Sequence, residues 1–455
     1  MKEFSREMQS IAGAIARAPG PLTQAVSLKA RHHLLDSLAA VVSGSRLLPG
    51  QLAVRYVEQF GGRKEACVPG TRLVTSAVHA AMASGMCAHA DETDDSHQPA
   101  FFHPGCAIVP AAWAMAEREH SSGRDLLESI VLGYEIGARI SLTLGAMAFH
   151  QRGLSSHTFA GVFGAAAACG RLARFDLDQS AWLLSYVAQQ ASGISTWMRD
   201  RDHVEKAFAL GGMTARNAVY AATMVQFGMT AVDDVFAGSP NFFSAFSPGA
   251  DIDPLLADFD GEPEIMRANI KKWSVGSPIQ AALDAMESLI RAHRLQAEEI
   301  GSIHIEVRDD EAAIVDDRTV PNICIQHLVS LLAVDGTLTF ESSHDAARMN
   351  DPRVLALRRR VTFAGSAALR HAGGRQAVLE VSTTDGRRMR QHVEVVRGAA
   401  GNAMSDDEVT HKATGLMVPV LGKRRTARLV EAVWDIELAG DVAAVRPLMK
   451  PARAA

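Results

Sequence analysis

The chain is poor in cysteine and lacks long apolar runs and nucleotide-binding fingerprints, and each absence removes a class of function. Its five cysteines (Cys67, Cys87, Cys106, Cys169, Cys324) are scattered, odd in number and free of any C-x-x-C. They read as reduced, buried small hydrophobes, not as a disulfide framework or a structural zinc site. No apolar stretch reaches the roughly 18 residues that a membrane-spanning helix needs. The N-terminal segment MKEFSREMQSIAGAIARAPG is amphipathic and carries acids, without a signal peptide's uninterrupted apolar core, so a cytoplasmic location is expected. No G-x-G-x-x-G follows a strand pattern, and neither a Walker-type loop nor G-x-S-x-G occurs. A net charge of -5 gives no electrostatic reason to expect nucleic acid or an anionic membrane as partner. Internal repeats and low-complexity segments are absent.

What is present is an ordinary globular composition, 47% hydrophobic and 21% charged, over 455 residues, a length that favours two domains. Apolar residues recur at helical spacing over 23–43, with Gly44 suited to a C-terminal cap, and again over 72–90, 105–119, 123–147, 158–173 and 179–193. The Ala/Gly-rich stretch FAGVFGAAAACG predicts helices that approach closely. A charged loop then feeds a Gly-containing helix over 198–228, with Lys206 at the start of its apolar run. After Pro254 the texture changes. Helical patterns at 277–295 and 324–334 are joined by a strand, SIHIEVR, and by a hairpin over 377–396 turning at Asp385-Gly386. From Ser405 the chain is helical again, opening on the capping-box pattern Ser405-x-x-Glu408, and the final PARAA reads as a frayed end. The predicted fold is mainly α with an α+β second domain. A helical domain at 1–263 and 403–455, built from both chain ends, receives the α+β domain at 264–402 as an insertion.

The densest polar stretch is MCAHADETDDSHQPAFFHPG, residues 86–105, set between two core-type helices. It carries Asp91, Glu92, Asp94 and Asp95, the hydroxyl of Ser96, and the imidazoles of His89, His97 and His103. One reading is a solvated acidic loop with a Pro-Gly turn. The other is a catalytic loop held by a rigid scaffold. Three distant segments offer the complementary groups: RGLSSH at 152–157, Lys206, and IKKWSVGSPIQ at 270–280. Carboxylates, imidazoles and lysines from separate segments suit proton abstraction beside a carboxylate, the cations holding the developing enediolate while a base takes the α-proton.

The same residues resemble the MmgE/PrpD family, the 2-methylcitrate dehydratase group that includes cis-aconitate decarboxylase and iminodisuccinate epimerase. The family's H-A-L-D-x-D-D-T-H loop followed by H-P-G stands here as His89 to His97 and His103-Pro104-Gly105. In that register Glu92 takes the place of the first aspartate, Ser96 that of the threonine, and His103 that of the active-site histidine. GVFGAAAACGRL looks like the family's Gly/Ala helix. Lys206 falls on its first active-site lysine and Lys271 on its second, fixed by the downstream AALDA. The resemblance implies an all-helical domain, a smaller α+β lid, a cleft site between them, a homodimer and no organic cofactor.

Departures from the pattern bear on the substrate. Ser277 and Gln280 stand where many members carry Arg and His, which puts a tricarboxylate such as 2-methylcitrate in doubt. The histidine usual after R-G-x falls on Ser155, with His157 two positions on. Lys272 and His327 are additional basic groups, although the helical pattern around His327 suits a satisfied core histidine better. The reading is a cofactor-independent lyase acting on a small di- or tricarboxylic acid by α-proton abstraction and loss of water, with epimerisation or decarboxylation as alternatives through the same carbanion. Its catalytic candidates are His103, Lys206, Lys271 and Glu92; its substrate-binding candidates are Asp94, Ser96, His157, Lys272 and His327, with no metal. A metal-dependent hydrolase using Asp91, Asp94, Asp95, His97 and His103, and a non-catalytic binding protein, are the competing classes.

Overall fold

The computed structural model describes residues 3–18 and 20–451, so most of the expected frayed end lies outside the described residues. The chain forms two compact units, one of Met1–Asn269 with Val409–Ala455 and one of Ile270–Glu408. No helix among the described residues is long and apolar enough to cross a membrane.

The first unit is helical. Its core elements are α1 (Gln24–Gly44), α2 (Ala77–Ala88), α3 (Gly105–Glu119), α4 (Gly123–Thr143), α5 (Ser156–Leu172) and α6 (Met213–Gln226). The expected helix from 72 starts only at Ala77. Val74–Thr75 pairs instead with Ala66–Cys67, and the Ser76 hydroxyl caps the helix by accepting from the His79 N–H. The pattern over 123–147 also breaks, because Gly145 adopts a left-handed φ of 77° between α4 and a short helix, Ala146–Gln151.

Small residues set the helix spacing here. A Cβ on Gly164 of α5 would lie 2.5 Å from the Gly133 carbonyl of α4, and one on Gly85 of α2 would lie 2.5 Å from the Gly211 carbonyl. Gly44 does the same work. It is the last helical residue and not a left-handed cap, and a Cβ there would sit 1.9 Å from the Cys87 carbonyl. Close approach of this kind leaves no room for side chains and makes the scaffold stiff.

The second unit is an α+β body. Helices α7 (Gln280–His293) and α8 (Ile325–Asp335) accompany a four-stranded sheet of β1 (Ile300–Arg308), β2 (Val361–Ser366), β3 (Ala377–Thr383) and β4 (Arg388–Val393), in the order β2-β1-β3-β4. The β3–β4 hairpin turns at Gly386, whose φ of 91° a residue with a side chain rarely adopts. Strand β2 has no counterpart in the sequence reading. It runs parallel to β1, with Ile303 opposite Val361, which requires a long crossover, and α8 lies in that connection. Alternating burial of β1 places Ile303, Ile305 and Val307 in the core with Leu283, Met286 and Leu379. The final helix, α9 (Asp406–Leu421), opens with the expected reciprocal cap: Ser405 N–H donates to Glu408 Oε2 at 2.8 Å, and Glu408 N–H donates to Ser405 Oγ at 3.3 Å.

Candidate active site

The acidic loop is not solvated. His89, Thr93, Asp94 and Asp95 are fully buried, and Ser96 and His97 are nearly so. Burying charge at this density is tolerated only where each charge is paired, and the pairing is specific. Asp91 closes the loop on itself, accepting from the Thr93 N–H at 3.0 Å and the Thr93 hydroxyl at 2.7 Å. Asp95 accepts from His33 Nδ1 at 2.6 Å, from the Tyr134 hydroxyl at 2.6 Å and from the Gly105 N–H at 2.7 Å. Although burial pulls the other way, the His33 and Tyr134 contacts keep its carboxyl below the usual range. Its role is to pin the start of α3 to α1 and α4.

Asp94 serves two imidazoles, His89 Nδ1 at 2.9 Å and His103 Nδ1 at 3.3 Å. His103 Nδ1 also lies 2.7 Å from the Asp95 carbonyl oxygen. A carbonyl only accepts, so Nδ1 carries the hydrogen, and Nε2 of the neutral ring is the nitrogen that can take a proton. His97 is fixed in the opposite tautomer, because its Nδ1 accepts from the Ala100 N–H at 3.1 Å and its Nε2 faces Glu264 at 2.8 Å. Ser96 pairs through its backbone with Asn269. His97, Lys29 and Ser96 thereby bond residues 264–269 to the acidic loop and α1, Lys29 through the Ala268 carbonyl at 2.8 Å.

Glu92 forms an ion pair with Lys206, reaching across 114 residues of sequence, and Lys206 lies 5.5 Å from the centre of the Trp197 ring. Directly after this lysine the helix widens into a π-turn, Phe208–Gly212, a distortion that often marks functional sites. His157 stacks on His103 with ring centres 5.2 Å apart. Burial pushes its imidazole well below the usual pKa, and the neighbouring His103 adds to the effect, so His157 is neutral at pH 7.

Within the helical unit, contacts thus link Glu92 to Lys206 and join Asp94, His103 and His157, while Ser96 turns its backbone to Asn269. The remaining candidates stand in the α+β unit. Lys271 is buried there. Lys272 is paired with Glu287 and lies 4.4 Å from the Trp273 ring centre. His327 is fully buried in α8, and neither ring nitrogen has a hydrogen-bond partner, so it is not the satisfied core histidine that its helical setting suggested. Gln280, which replaces a family histidine, folds the lysine segment: it donates to the Trp273 and Val275 carbonyls at 2.7 and 3.1 Å and accepts from the Trp273 N–H at 3.1 Å.

The competing metal set is divided, since Asp91, Asp95 and His97 each turn to a different partner. A different trio, His89, Asp94 and Cys106, offers ligand atoms within 4.8 Å of one another and is buried. Two of its members, however, already satisfy each other at 2.9 Å.

Several residues that hold the site escaped the sequence reading. Lys412 of α9 donates to the Thr93 carbonyl at 3.0 Å and pairs with Asp36 at 2.6 Å. Lys29, His33 and Asp36 of α1 recur at helical spacing inside an otherwise apolar helix. That stripe was a readable signal for a polar neighbour. Tyr134 and His203 carried none.

The helical scaffold holds buried imidazoles, carboxylates and a lysine close together, groups of the kind that acid–base chemistry uses. Profiles described as the MmgE/PrpD N-terminal domain and the MmgE/PrpD C-terminal domain match residues 10–255 and 273–436, and the chain belongs to the MmgE/PrpD family. It is similar to the cis-aconitate decarboxylase-like protein oryM of Aspergillus oryzae, 23% identical across 95% of this chain and 94% of that protein. It is also similar to cis-aconitate decarboxylase of Aspergillus terreus, 21% identical across 92% of this chain and 91% of that protein. Family and relatives support a dehydratase- or decarboxylase-type enzyme.

Proposed function

We propose that the protein is a lyase that removes water or CO2 from a small di- or tricarboxylic acid through a carboxylate-stabilised carbanion, using its own side chains for the proton transfers. The observation that carries this reading is His103, whose Nδ1–H is fixed on the Asp95 carbonyl beside Asp94, leaving Nε2 as the proton-transferring atom. In dehydration, Nε2 takes the α-proton. The electron pair passes toward the substrate carboxylate, whose growing charge Lys206 neutralises, and the β-hydroxyl leaves as water with the proton that His103 Nε2 has taken up. Glu92 orients Lys206, and Asp94, Ser96 and His157 line the substrate's path to His103. Lys272 and His327 fall outside this set.

Loss of CO2 is the second reading, favoured by relatives named for decarboxylation that match almost the whole chain. There the C–C bond breaks, and the carbon receives a proton from the His103 imidazolium. Epimerisation would stop at reprotonation of the same carbanion. A homodimer acting on a small acid, with no nucleic acid or membrane partner, is the assembly this reading carries.

The test is a panel of di- and tricarboxylic acids, cis-aconitate and citrate among them, assayed in D2O for deuterium uptake and for release of water or CO2, with and without chelator. Deuterium incorporation that tracks release of one of the two is expected. Turnover that vanishes on chelation and returns with one divalent ion would instead favour the metal-dependent class.

A further inference from the structure

His203 belongs to no motif, yet three observations single it out. Its backbone is left-handed, with φ 59° and ψ 14°, a conformation unfavourable for a residue with a side chain. Such outliers persist where the surroundings enforce them, often at ligand-binding positions. The residue keeps some surface exposed, but its Nε2 is buried and has no hydrogen-bond partner. Buried polar atoms are nearly always satisfied, so an orphan of this kind needs an explanation. Finally, its ring centre is 5.2 Å from that of His89, which shares Asp94 with His103, and Lys206, Glu92 and Asp91 are close enough to act on its ionisation. Burial, reinforced by Lys206, pushes its pKa down to about 3, so the ring is neutral at pH 7 and can donate one N–H without adding a charge.

We infer that His203 is a substrate-contacting residue, its Nε2–H donating to a carboxylate of the small acid that Lys206 neutralises. The left-handed turn explains how it gets there: the strained backbone directs the ring toward His89 at the point where the charged loop enters the Lys206 helix. This inference rests on the proposed function and adds to it a second contact for the same carboxylate.

The test compares wild type with His203→Gly and His203→Gln, using cis-aconitate and citrate as probes in both calorimetric binding and turnover. Glycine accepts the left-handed backbone and removes the ring. Glutamine can place an amide N–H at about the reach of Nε2. Losing a hydrogen bond to a charged group predicts that His203→Gly weakens Kd and raises KM about tenfold or more, with kcat changed less than about threefold and a thermal midpoint at or above that of wild type. His203→Gln is expected to recover most of the affinity. Should the glycine variant not fold, His203→Asn, which also tolerates the left-handed region, is read in its place. Unchanged Kd and KM in a variant whose parent converts the acid would overturn this inference alone. A wild-type protein that neither binds nor converts either acid would overturn the proposed function, and this inference with it.

Discussion

Each unit contains a lysine paired with a glutamate and set against a tryptophan, and the two arrangements are alike in almost everything local. Lys206 and Glu92 have side chains 17% and 13% exposed; for Lys272 and Glu287 the figures are 20% and 18%. The aromatic neighbours are Trp197 at 5.5 Å and Trp273 at 4.4 Å. Exposure and partner type therefore do not separate the lysine proposed to meet substrate from the one left outside that proposal. The surroundings do. Glu287 also accepts from Arg291 at 2.9 Å, one turn along α7, so its charge is shared between two cations close in sequence. Glu92 and Lys206 join distant segments, and the ionisable groups around them include the imidazole of His203. A pair that ties a helix to the segment just before it needs no substrate to explain it, whereas one that links distant segments amid imidazoles does.

The sharpest way to break this comparison is kinetic. His103→Ala should cut kcat by about 100-fold or more, roughly 3 kcal/mol, with little change in KM, because it removes a proton-transfer group needed in the transition state. Lys206→Ala should lower kcat and raise KM together, since the carboxylate charge it meets is partly present in the ground state. Lys272→Ala, by contrast, should change kcat/KM by less than about threefold, because its charge is met by Glu287 and not by substrate. Measurements on variants whose circular dichroism matches wild type decide the matter. Near wild-type turnover for His103→Ala would make the His103-Pro104-Gly105 turn a structural element only.

How much of this was legible beforehand follows the same division. The fold class was readable because periodicity survives in helices with one buried face, as in α7, and in a strand with the alternation of β1. Strand β2 was not, because VTFAGS is short and its burial does not alternate. The acidic loop stood out by composition, but its pairing did not. Asp95 turning to His33 and Tyr134 while Asp94 turns to His89 and His103 depends on contacts over 39 to 62 residues in one case and 5 to 9 in the other, and no local pattern encodes the longer ones. The role of Gly44 was misread for a related reason. A cap glycine and a close-packing glycine look identical until the neighbouring helix is in place.

A pH titration probes the helical unit more broadly. Burial pushes His33 down to about 4 and His203 to about 3, against an ordinary value of 6.5; in the α+β unit His327 falls to about 4 for the same reason. Below pH 6.5 the unfolded chain binds protons at these positions and the folded protein does not, so the stability they contribute is present above pH 6.5 and is lost as the pH falls toward 4. Asp36 opposes this. Burial raises its carboxyl to about 6, so the folded state takes up that proton first and gains stability between about pH 6 and pH 3.8. His157 and His150 act in the same sense as these histidines, while Glu117, Glu128 and Asp284, raised by burial, act with Asp36; the large histidine shifts leave a net loss, and His33, His150, His157 and His203 all lie in the helical unit. Urea midpoints should therefore drop steadily from pH 7 to pH 4.5, and amide exchange should rise first in α1 rather than in the β-sheet. A flat profile across that range would contradict the neutral, buried histidines on which the site depends.

The smallest expected effect tests whether an orphaned imidazole is by itself a mark of function. His327 and His203 both have buried ring nitrogens without partners. His203 adds a left-handed backbone and the company of Lys206 and Glu92, while His327 sits within regular helix α8, where the charges acting on it are Arg358 and Arg348. The two cations repel a protonated ring, and neither nitrogen of the neutral ring has a hydrogen-bond partner, so both are a desolvation cost. Replacing it with an apolar side chain of similar volume should remove that cost. His327→Leu is expected to stabilise the protein by about 1 kcal/mol in urea denaturation at pH 7.5, with KM and kcat within about twofold of wild type. A further consequence distinguishes this from a general packing gain: the stabilisation should grow as the pH falls from 6.5 toward 4, because the leucine variant no longer carries the histidine's proton penalty. If KM instead rises severalfold while stability climbs, the nitrogens of His327 contact substrate, and an orphaned imidazole is by itself a mark of function.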